Sequence, residues 1–600
     1  MRKFVVILSG GQVISHSRFF GLLSFLAIAA LFTACSGEKP DVATEPEISK
    51  IEALADEFLA ATLERYPTMG TYYAIEGTRH DRLYDNSIDA LADWELREDQ
   101  WLTQLNSIGS PSEVGSRDWV TFGIMHEALE SSVENRVCRS ELWQASTTTA
   151  WYRGLPFVFE VQPVGTEDER EQALARLHAV ADFVDTEISN LRLGIELGYS
   201  APQVTVAAVP EQVRALIGGE SIFLNPTTRN NDEEFETAVR QIYEDEITPA
   251  ILRFADFIEN DYLPQARQVI ALSENTDGAQ CYPALVRSFA TIRPSADEIH
   301  ALGLQQIARI RGEMHAVIDE HFGGGSIEEF LTRVKTDPEF TFESEEAVLK
   351  YSVDALEDAK NAMPNVFGRL PIADVEVKPY PEFAESGIGE YHPPSEDSSR
   401  PGIFYIAVTD PQHRSKVTQI STLYHETYPG HHHQIAIKLE LGDNVHTIAR
   451  YFGNSGFTEG WGLYAERLSD ELGLYTNPID YFGMLSEQGA RASRLVIDTG
   501  LHTKGWTRQQ AVDYMKSNTA WSLVDIENDI NRYISWPGQA TSYMLGMLEI
   551  QRLRTLAEEQ LGDKFDLSAF HDRVVGFGGI TLPMLHVSVL AWIEEQKTAL

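Results

Sequence analysis

Apolar residues recur at spacings of three and four through most of this chain, and this pattern restricts the fold more than any other feature. It is clear from Glu167 to Leu197 and from Ala296 to Phe322. Side chains at these spacings share one face of an α-helix, so each segment predicts an amphipathic helix that buries one side. We therefore expect a mainly helical protein, with helices from Ile51 to about Leu370 and again from about Lys416 to Leu600.

A short part of the chain departs from the helical pattern. Residues Asp374 to Lys378 alternate, and Gly402 to Val408 are β-branched and aromatic, which predicts a small sheet. An extended peptide can add to a strand edge through main-chain hydrogen bonds. We place the second strand beside an active-site cleft, with Tyr405 as a substrate-binding residue. A purely structural ribbon is the alternative.

The charge balance excludes one class of partner. The 600 residues contain 48 Lys and Arg against 90 Asp and Glu, a formal net charge of −42, and 43% of residues are hydrophobic. The apolar content is that of a folded protein. Because nucleic-acid affinity depends on cationic contacts to phosphate, we expect no nucleic-acid partner. The charge leaves the sign of a small substrate open.

The N-terminus has the pattern of a targeting segment. Residues Phe19 to Thr33 form an uncharged apolar run that is shorter than a membrane-spanning helix and is followed by Ala34-Cys35. This end resembles a bacterial lipoprotein signal with Cys35 as the lipidated residue, and a secretory signal cleaved nearby is the alternative. We expect a signal over 1–35, a tether over 36–50 and a helical body over 51–600, with a lobe boundary near 290. The protein would then be extracytoplasmic and would meet the membrane only through its lipid anchor.

Two further cysteines, Cys138 and Cys281, are candidates for a disulfide. No C-x-x-C pair is present, which excludes thiolate zinc ribbons and thioredoxin-type redox sites. Disulfides persist outside the cytoplasm. Two separate buried thiols are the alternative.

The most informative segment for function is Thr422 to Gln434. It contains His425-Glu426, as in the metalloprotease pattern H-E-x-x-H, in which two His bind zinc and the Glu is the general base. Position 429, where the second His belongs, is Pro, and the next His residues are His431 and His432. A continuous helix would carry His431 to another face. Because Pro429-Gly430 can break or bulge a helix, the chain can bring a later His back towards His425.

A catalytic zinc site needs a third protein ligand and an open position. Glu459 follows the Pro-Gly segment by about thirty residues, enough for a helix, a turn and a return. Glu466 is seven residues later on the same helical face, which suits a residue that orients a His ligand. The predicted cofactor is one Zn²⁺ per chain. A satisfied polar cluster and an adventitious metal site are the alternatives.

These motifs resemble those of the domain-of-unknown-function 885 family, zincin-like bacterial proteins thought to be metallopeptidases. The resemblance covers residues 50 to 597, and its marks are Arg400–Tyr405, His425–His432, Thr458–Glu466, Arg494–His502 and Tyr533–Ala540. It implies a helical fold similar to that of thimet-oligopeptidase-type peptidases, whose motif reads H-E-x-G-H. In that comparison Gly430-His431 replaces the final Gly-His, which favours His431 over His432, and Glu459 matches the third ligand.

Other residues are candidates for supporting roles. Tyr533 is our first choice as donor to the oxyanion, and Tyr543 lies near it in the sequence. His502 follows Asp498 by four residues, so the two share a helical face and predict an orienting pair near the site. Residues that could hold a substrate carboxylate are Arg491, Arg494 and Arg532. Structural roles, as buried rings or salt bridges, are the alternative for each.

Together these features predict a large two-lobed, zincin-like helical body with a small β element beside the cleft. The predicted function is zinc-dependent hydrolysis of short peptides. Ligands would be His425, His431 and Glu459, with Glu426 as base and Tyr533 or His502 steadying the oxyanion. Two alternatives stay open: a metallohydrolase of another amide or ester, and a metal- or peptide-binding lipoprotein without turnover. The oligomeric state is not predicted.

Overall fold

The computed structural model describes residues 48–380 and 389–598. These residues are mainly helical with one small sheet, which confirms the predicted fold class. Cys35, the signal over 1–35 and all but the last residues of the tether lie outside the described residues. Within the described ranges, no helix combines the length and apolar character needed to cross a bilayer.

The helices of the described residues are numbered in chain order. Those before the second apolar core are α1 Lys50–Arg65, α2 Pro67–Tyr72, α3 Ile88–Ile108 and α4 Arg117–Asn135. Those within it are α5 Trp151–Gly154, α6 Val158–Val161, α7 Glu167–Leu197, α8 Gln203–Val206, α9 Val209–Arg214, α10 Asn225–Thr228, α11 Glu233–Ile242 and α12 Thr248–Phe257.

The remaining helices build most of the body. Up to the metal segment they are α13 Gly278–Ala290, α14 Ala296–His321, α15 Ile327–Thr336, α16 Glu345–Ala362, α17 Gln419–Glu426 and α18 His431–Leu439. Beyond it they are α19 Ile448–Tyr451, α20 Ser455–Glu471, α21 Pro478–Thr503, α22 Arg508–Lys516, α23 Leu523–Ser535, α24 Ser542–Leu561, α25 Leu567–Val575 and α26 Leu582–Thr598.

Side-chain caps explain where the two longest predicted helices begin. Thr166 caps α7 and Ser295 caps α14, and in each a Glu three residues later bonds back to the cap's own backbone N–H. This reciprocal pair satisfies two backbone donors that the first turn leaves unpaired. The helix starts are therefore encoded locally.

The sheet has three strands, β1 Val375–Pro379, β2 Gly389–His392 and β3 Gly402–Ile406, in the order β1-β3-β2. β1 is parallel to β3 and β2 is antiparallel to it. β3 is thus central, with both edges occupied. The expectation that this strand offers a free edge to a substrate is wrong, because β1 and β2 already use its main-chain hydrogen bonds.

Two large apolar cores lie within the body, which forms one compact unit from Ile48 to Leu600. One core joins helices from both ends of the chain, and the other is built from residues 145–266. The first core runs without interruption through Ala290 and Ile299, so position 290 does not divide the cores. The second core is instead an insertion between α4 and α13.

A disulfide joins the two ends of this insertion. Cys138 and Cys281 are bonded with their Cα atoms 4.7 Å apart, and both are buried in the first core. The pairing predicted as one of two alternatives is therefore present. The bond closes a loop that contains the entire second core.

Close packing between α20 and α24 fixes the helix that carries Glu459. A Cβ added to Gly460 would lie 2.5 Å from the carbonyl carbon of Gly546, and one added to Gly546 would lie 1.8 Å from the oxygen of Gly456. Only glycine permits backbones this near each other. The contact brings the first turn of α24, with Tyr543, beside the first turn of α20.

Candidate metal centre

The metal segment is two helices separated by a sharp break. α17 ends at Glu426, and α18 begins at His431 after four non-helical residues. A Cβ on Gly430 would lie 1.9 Å from the carbonyl oxygen of His425, so a glycine is required where the chain folds back. Trp461 on α20 donates its indole N–H to the oxygens of Pro429, at 3.0 Å, and Gly430, at 3.2 Å. The break therefore lets His431 approach His425.

Three side chains converge at this break. Candidate ligand atoms of His425, His431 and Glu459 all lie within 4.8 Å of one another. Each His Nε2 lies 3.4 Å from Oε2 of Glu459. Two ligands at zinc distances of about 2.0–2.1 Å in a tetrahedron are separated by roughly 3.3 Å, so the spacing fits zinc. Two imidazoles and one carboxylate are also a donor set of catalytic zinc.

Glu466 orients the first His. Its Oε1 lies 2.8 Å from Nδ1 of His425, while Ser421 and Gln488 donate to its Oε2. Because Nδ1 is occupied, Nε2 faces Glu459 and His431. A carboxylate on the other ring nitrogen is a usual partner of a metal-binding His, because it orients the ring and raises its basicity.

The electrostatics of the cluster favour a positive charge at its centre. Burial lowers the pKa of His425, but the carboxylates of Glu459 and Glu466 outweigh it and raise the pKa to about 9. Burial raises the pKa of Glu459, yet hydrogen bonds from both imidazoles hold it well below its usual range. A cation at this point is therefore stabilised by its surroundings.

The neighbouring His432 is oriented away from the cluster. Its Nε2 donates to the carbonyl oxygen of Ala373 at 3.1 Å, and its Nδ1 accepts from the hydroxyl of Tyr391 at 3.0 Å. Both nitrogens are thus used in contacts to the sheet region. The structure brings His431, and not His432, to the other two candidate ligands. Nδ1 of His431 is buried and has no hydrogen-bond partner among the residues that the structure describes.

Glu426, the candidate base, is half-buried at the last residue of α17. Burial is the main cause that raises the pKa of Tyr391, and the charges of Tyr428 and Glu426 add to it. Tyr391 sits on β2, a strand that the sequence patterns did not predict. Its contact with His432 follows from the sheet order, which could not be derived from the sequence.

The two candidate tyrosines have different surroundings. The hydroxyl of Tyr533 donates to Asp529 and accepts from Nε of Arg494 at 2.7 Å, so it is already committed to an ion pair. Tyr543 is half-buried, and its pKa is raised by burial and then by the carboxylate of Glu459. Tyr543 therefore lies beside the candidate metal centre as a protonated donor. The preference for Tyr533 over Tyr543 as oxyanion donor is not supported by this arrangement.

Asp498 and His502 do not form the expected orienting pair. Asp498 accepts from the hydroxyl of Tyr282 at 2.6 Å and from the backbone of Gly538 at 3.0 Å, whereas His502 donates to the carbonyl of Tyr533. His502 lies fourteen residues beyond Gln488, the contact of Glu466 on the same helix α21, or about 21 Å along its axis. His502 is therefore too far to steady an oxyanion at the cluster.

The other predicted substrate residues lie in two places. Tyr405 is half-buried on β3, with its ring stacked 5.6 Å from that of Tyr380 and edge-on to that of His392 at 5.2 Å. Arg494 is buried on α21, with its guanidinium carbon 4.4 Å from the ring centre of Tyr543. Of these two residues, Arg494 is linked to the candidate metal centre through its contact with Tyr543.

Fold and site together define a mainly helical protein with a His–His–Glu cluster that could hold a metal ion. The family model described as bacterial protein of unknown function, DUF885, matches residues 67–589. The chain therefore belongs to the DUF885 family. A search of the curated proteins finds no match.

Solved structures show the same fold. A candidate lipoprotein from Colwellia psychrerythraea has 25% identity and a TM-score of 0.83, covering 91% of this chain and 99% of its own. A candidate lipoprotein of unknown function from Shewanella oneidensis has 16% identity and a TM-score of 0.73, covering 90% and 100%. A candidate oligoendopeptidase F from Bacillus anthracis has 11% identity and a TM-score of 0.28, covering 84% of this chain and 97% of its own. A likeness this low is evidence for neither the fold nor the activity of this chain.

Proposed function

We propose that this protein is a zinc-dependent hydrolase that cleaves peptide bonds of short peptides. The observation that carries the proposal is the convergence of His425, His431 and Glu459. Glu426, the candidate base, follows His425 directly in the chain. Glu426 also separates this proposal from a binding protein, because a site that only holds metal needs no general base.

The chain's own groups supply the proton transfers. A zinc ion held by the three ligands would lower the pKa of a water molecule and polarise the substrate carbonyl. Glu426 accepts the proton of the attacking water and delivers it to the departing amine. Tyr543, protonated beside Glu459, donates a hydrogen bond to the oxygen that becomes negative. Glu466 keeps His425 in the orientation that these steps need.

The sheet supports an extended peptide as substrate. Among the described residues, β1 and β2 each pair with β3 alone, and β2 contacts α17 and carries Tyr391. A peptide that adds to the outer edge of β2 would form main-chain hydrogen bonds with a strand that contacts α17, the helix that ends at Glu426.

The location of the protein is part of the same proposal. Two solved structures of similar fold are those of candidate lipoproteins. The sequence around Cys35 and the disulfide between Cys138 and Cys281 agree with a lipid-anchored protein outside the cytoplasm.

Metal content and turnover of paired variants test the proposal. We expect about one zinc per chain in protein lacking residues 1–35, lost in His431→Gln and retained in His432→Gln. Glu426→Gln should keep the zinc and lose peptide hydrolysis by at least about 100-fold. A peptide library cleaved equally by Glu426→Gln and the unaltered protein would refute the hydrolase, and zinc unaffected by His431→Gln would refute the site.

A further inference from the structure

A buried arginine cluster lies one side chain away from the candidate metal centre. Among the described residues, Arg491 on α21 pairs with Glu487, while Arg494 on α21 and Arg532 on α23 both pair with Asp529. The two arginines of α21 are 8% and 5% exposed, and Arg532 is half-buried. Two guanidinium groups thus share one carboxylate, and a cation held away from water is costly unless anions complete its surroundings.

Arg494 has an unused donor within this cluster. Its Nε donates to Tyr533 at 2.7 Å and its Nη2 to Asp529 at 3.2 Å, but its buried Nη1 has no hydrogen-bond partner within residues 48–380 and 389–598. A buried donor without a partner costs free energy, so native proteins rarely keep one without a use. Nη1 is therefore a ready contact for an incoming acceptor.

A cavity of about 620 Å³ is lined by Arg532 of this cluster and by its partner Asp529, and we call it the α23 cavity. Its lining includes Thr147, Arg153, Trp521, Asp525, Asp529 and Arg532. The ring of Trp521 lies 5.7 Å from the guanidinium carbons of both Arg491 and Arg494. The volume is in the range of small-molecule sites, so the cavity can hold the end of a peptide.

Tyr543 connects the arginine cluster with the metal centre. Its ring lies 4.4 Å from the guanidinium carbon of Arg494. The packing of Gly546 against Gly456 and Gly460 places the helix turn of Tyr543 beside the turn of α20 that carries Glu459. The cavity lining also contains Arg153 and Asp525, whose charges offset each other.

We propose that the arginine cluster and the α23 cavity bind the free α-carboxylate of a peptide's last residue, so that the protein is an exopeptidase acting at C-terminal ends. Guanidinium groups are suited to this ligand because they bind carboxylates through two parallel hydrogen bonds. The inference rests on the proposed peptide hydrolase and names its class of substrate.

Binding to the inactive Glu426→Gln protein, loaded with zinc, tests the subsite apart from turnover. The ligands are acetyl-Ala-Ala-Phe as free acid, the same peptide as amide, and an amidated peptide ending in Asp. By calorimetry we expect the acid to bind roughly 10- to 100-fold more tightly than either amide. Equal binding of acid and amide would overturn the proposal, and so would tight binding of the amide ending in Asp, since a side-chain carboxylate would then be the ligand.

Second-site variants separate this subsite from direct binding to zinc. In Glu426→Gln, adding Arg494→Met should remove the preference for the acid and leave amide binding unchanged. Arg532→Gln, at the cavity wall, should reduce the preference even if Arg494→Met does not fold. Arg309→Gln is the control, because Arg309 pairs with Glu313 on α14 and neither residue lines the cavity. If both cluster variants still bind the acid more tightly than the amide, the carboxylate binds to the metal and not to the arginines, and the proposal is overturned.

Turnover by the unaltered protein distinguishes the two proposals. Hydrolysis of acid and amide at equal rates would refute the exopeptidase and leave the hydrolase standing. A preference for the acid in binding, with no hydrolysis of any peptide, would keep the carboxylate subsite and refute the hydrolase.

Discussion

Glu466 is fully buried and its carboxylate bonds Nδ1 of His425 at 2.8 Å. We expect Glu466→Gln to weaken zinc binding about 10- to 100-fold, because the amide orients the imidazole less firmly and no longer raises its basicity. Competition with a chelator measures the affinity. Glu471→Gln on the same helix is the control, since Glu471 pairs with Arg554 near the surface. Equal affinity in Glu466→Gln and the control would count against the orienting role.

Asp498 makes the stability depend on pH. Burial raises the pKa of its carboxyl from 3.8 to about 7. Because the folded pKa lies above the unfolded one, its contribution to stability is complete below pH 3.8 and is lost as pH rises through 7. Asp498→Asn removes this loss while keeping an acceptor for Tyr282 and Gly538. As pH rises from 4 to 7, we expect the free energy of unfolding of the variant to increase relative to that of the unaltered protein by up to about 4 kcal/mol. A difference in urea unfolding that does not change with pH would contradict this.

At the scale of elements, the break between α17 and α18 determines whether the ligands meet. Gly430→Ala places a Cβ against the carbonyl oxygen of His425, so one helix must shift relative to the other. We expect the variant to lose zinc and about 1–3 kcal/mol of stability. Gly312→Ala is the control, because a Cβ there meets nothing within 4 Å and alanine favours a helix. Elemental analysis and thermal unfolding of both variants give the comparison.

The helices could be predicted from the sequence because their signals are local. Periodicity and the caps at Thr166 and Ser295 define the long helices without reference to the rest of the chain. The cluster of His425, His431 and Glu459 could also be predicted, since a Pro-Gly break was visible between the two His residues. The choice between Tyr533 and Tyr543 could not, because it depends on how α23 and α24 pack around Arg494.

At the scale of the whole molecule, the disulfide stabilises the insertion. Its sequence separation is 143 residues, so in the chain-entropy account its loss frees a long loop in the unfolded state. We expect Cys138→Ala combined with Cys281→Ala to reduce the free energy of unfolding by about 2–5 kcal/mol. Zinc content should not change, because the metal ligands lie outside the loop. Denaturant titration and elemental analysis give both quantities, and loss of zinc in the folded double variant would contradict this separation.

The insertion itself could not be predicted from the sequence. Residues 145–266 have the same helical periodicity as their surroundings, so no shift of pattern marks where one core ends and the other begins. The separation of the two cores depends on long-range packing, such as that of α4 against α13, which leaves no local signal in the sequence.

A covalent bond at the base of the insertion also limits how far disorder can spread. If residues 145–266 open first, the bond keeps the two ends of the loop together, and the surrounding helices keep their own packing. We expect hydrogen exchange at low urea to show the insertion opening as one unit, at a lower free energy than α20 and α21. The α23 cavity lies where this insertion meets the main body, so the protein would widen that wall for long or bulky ligands without loosening the helices that hold the metal.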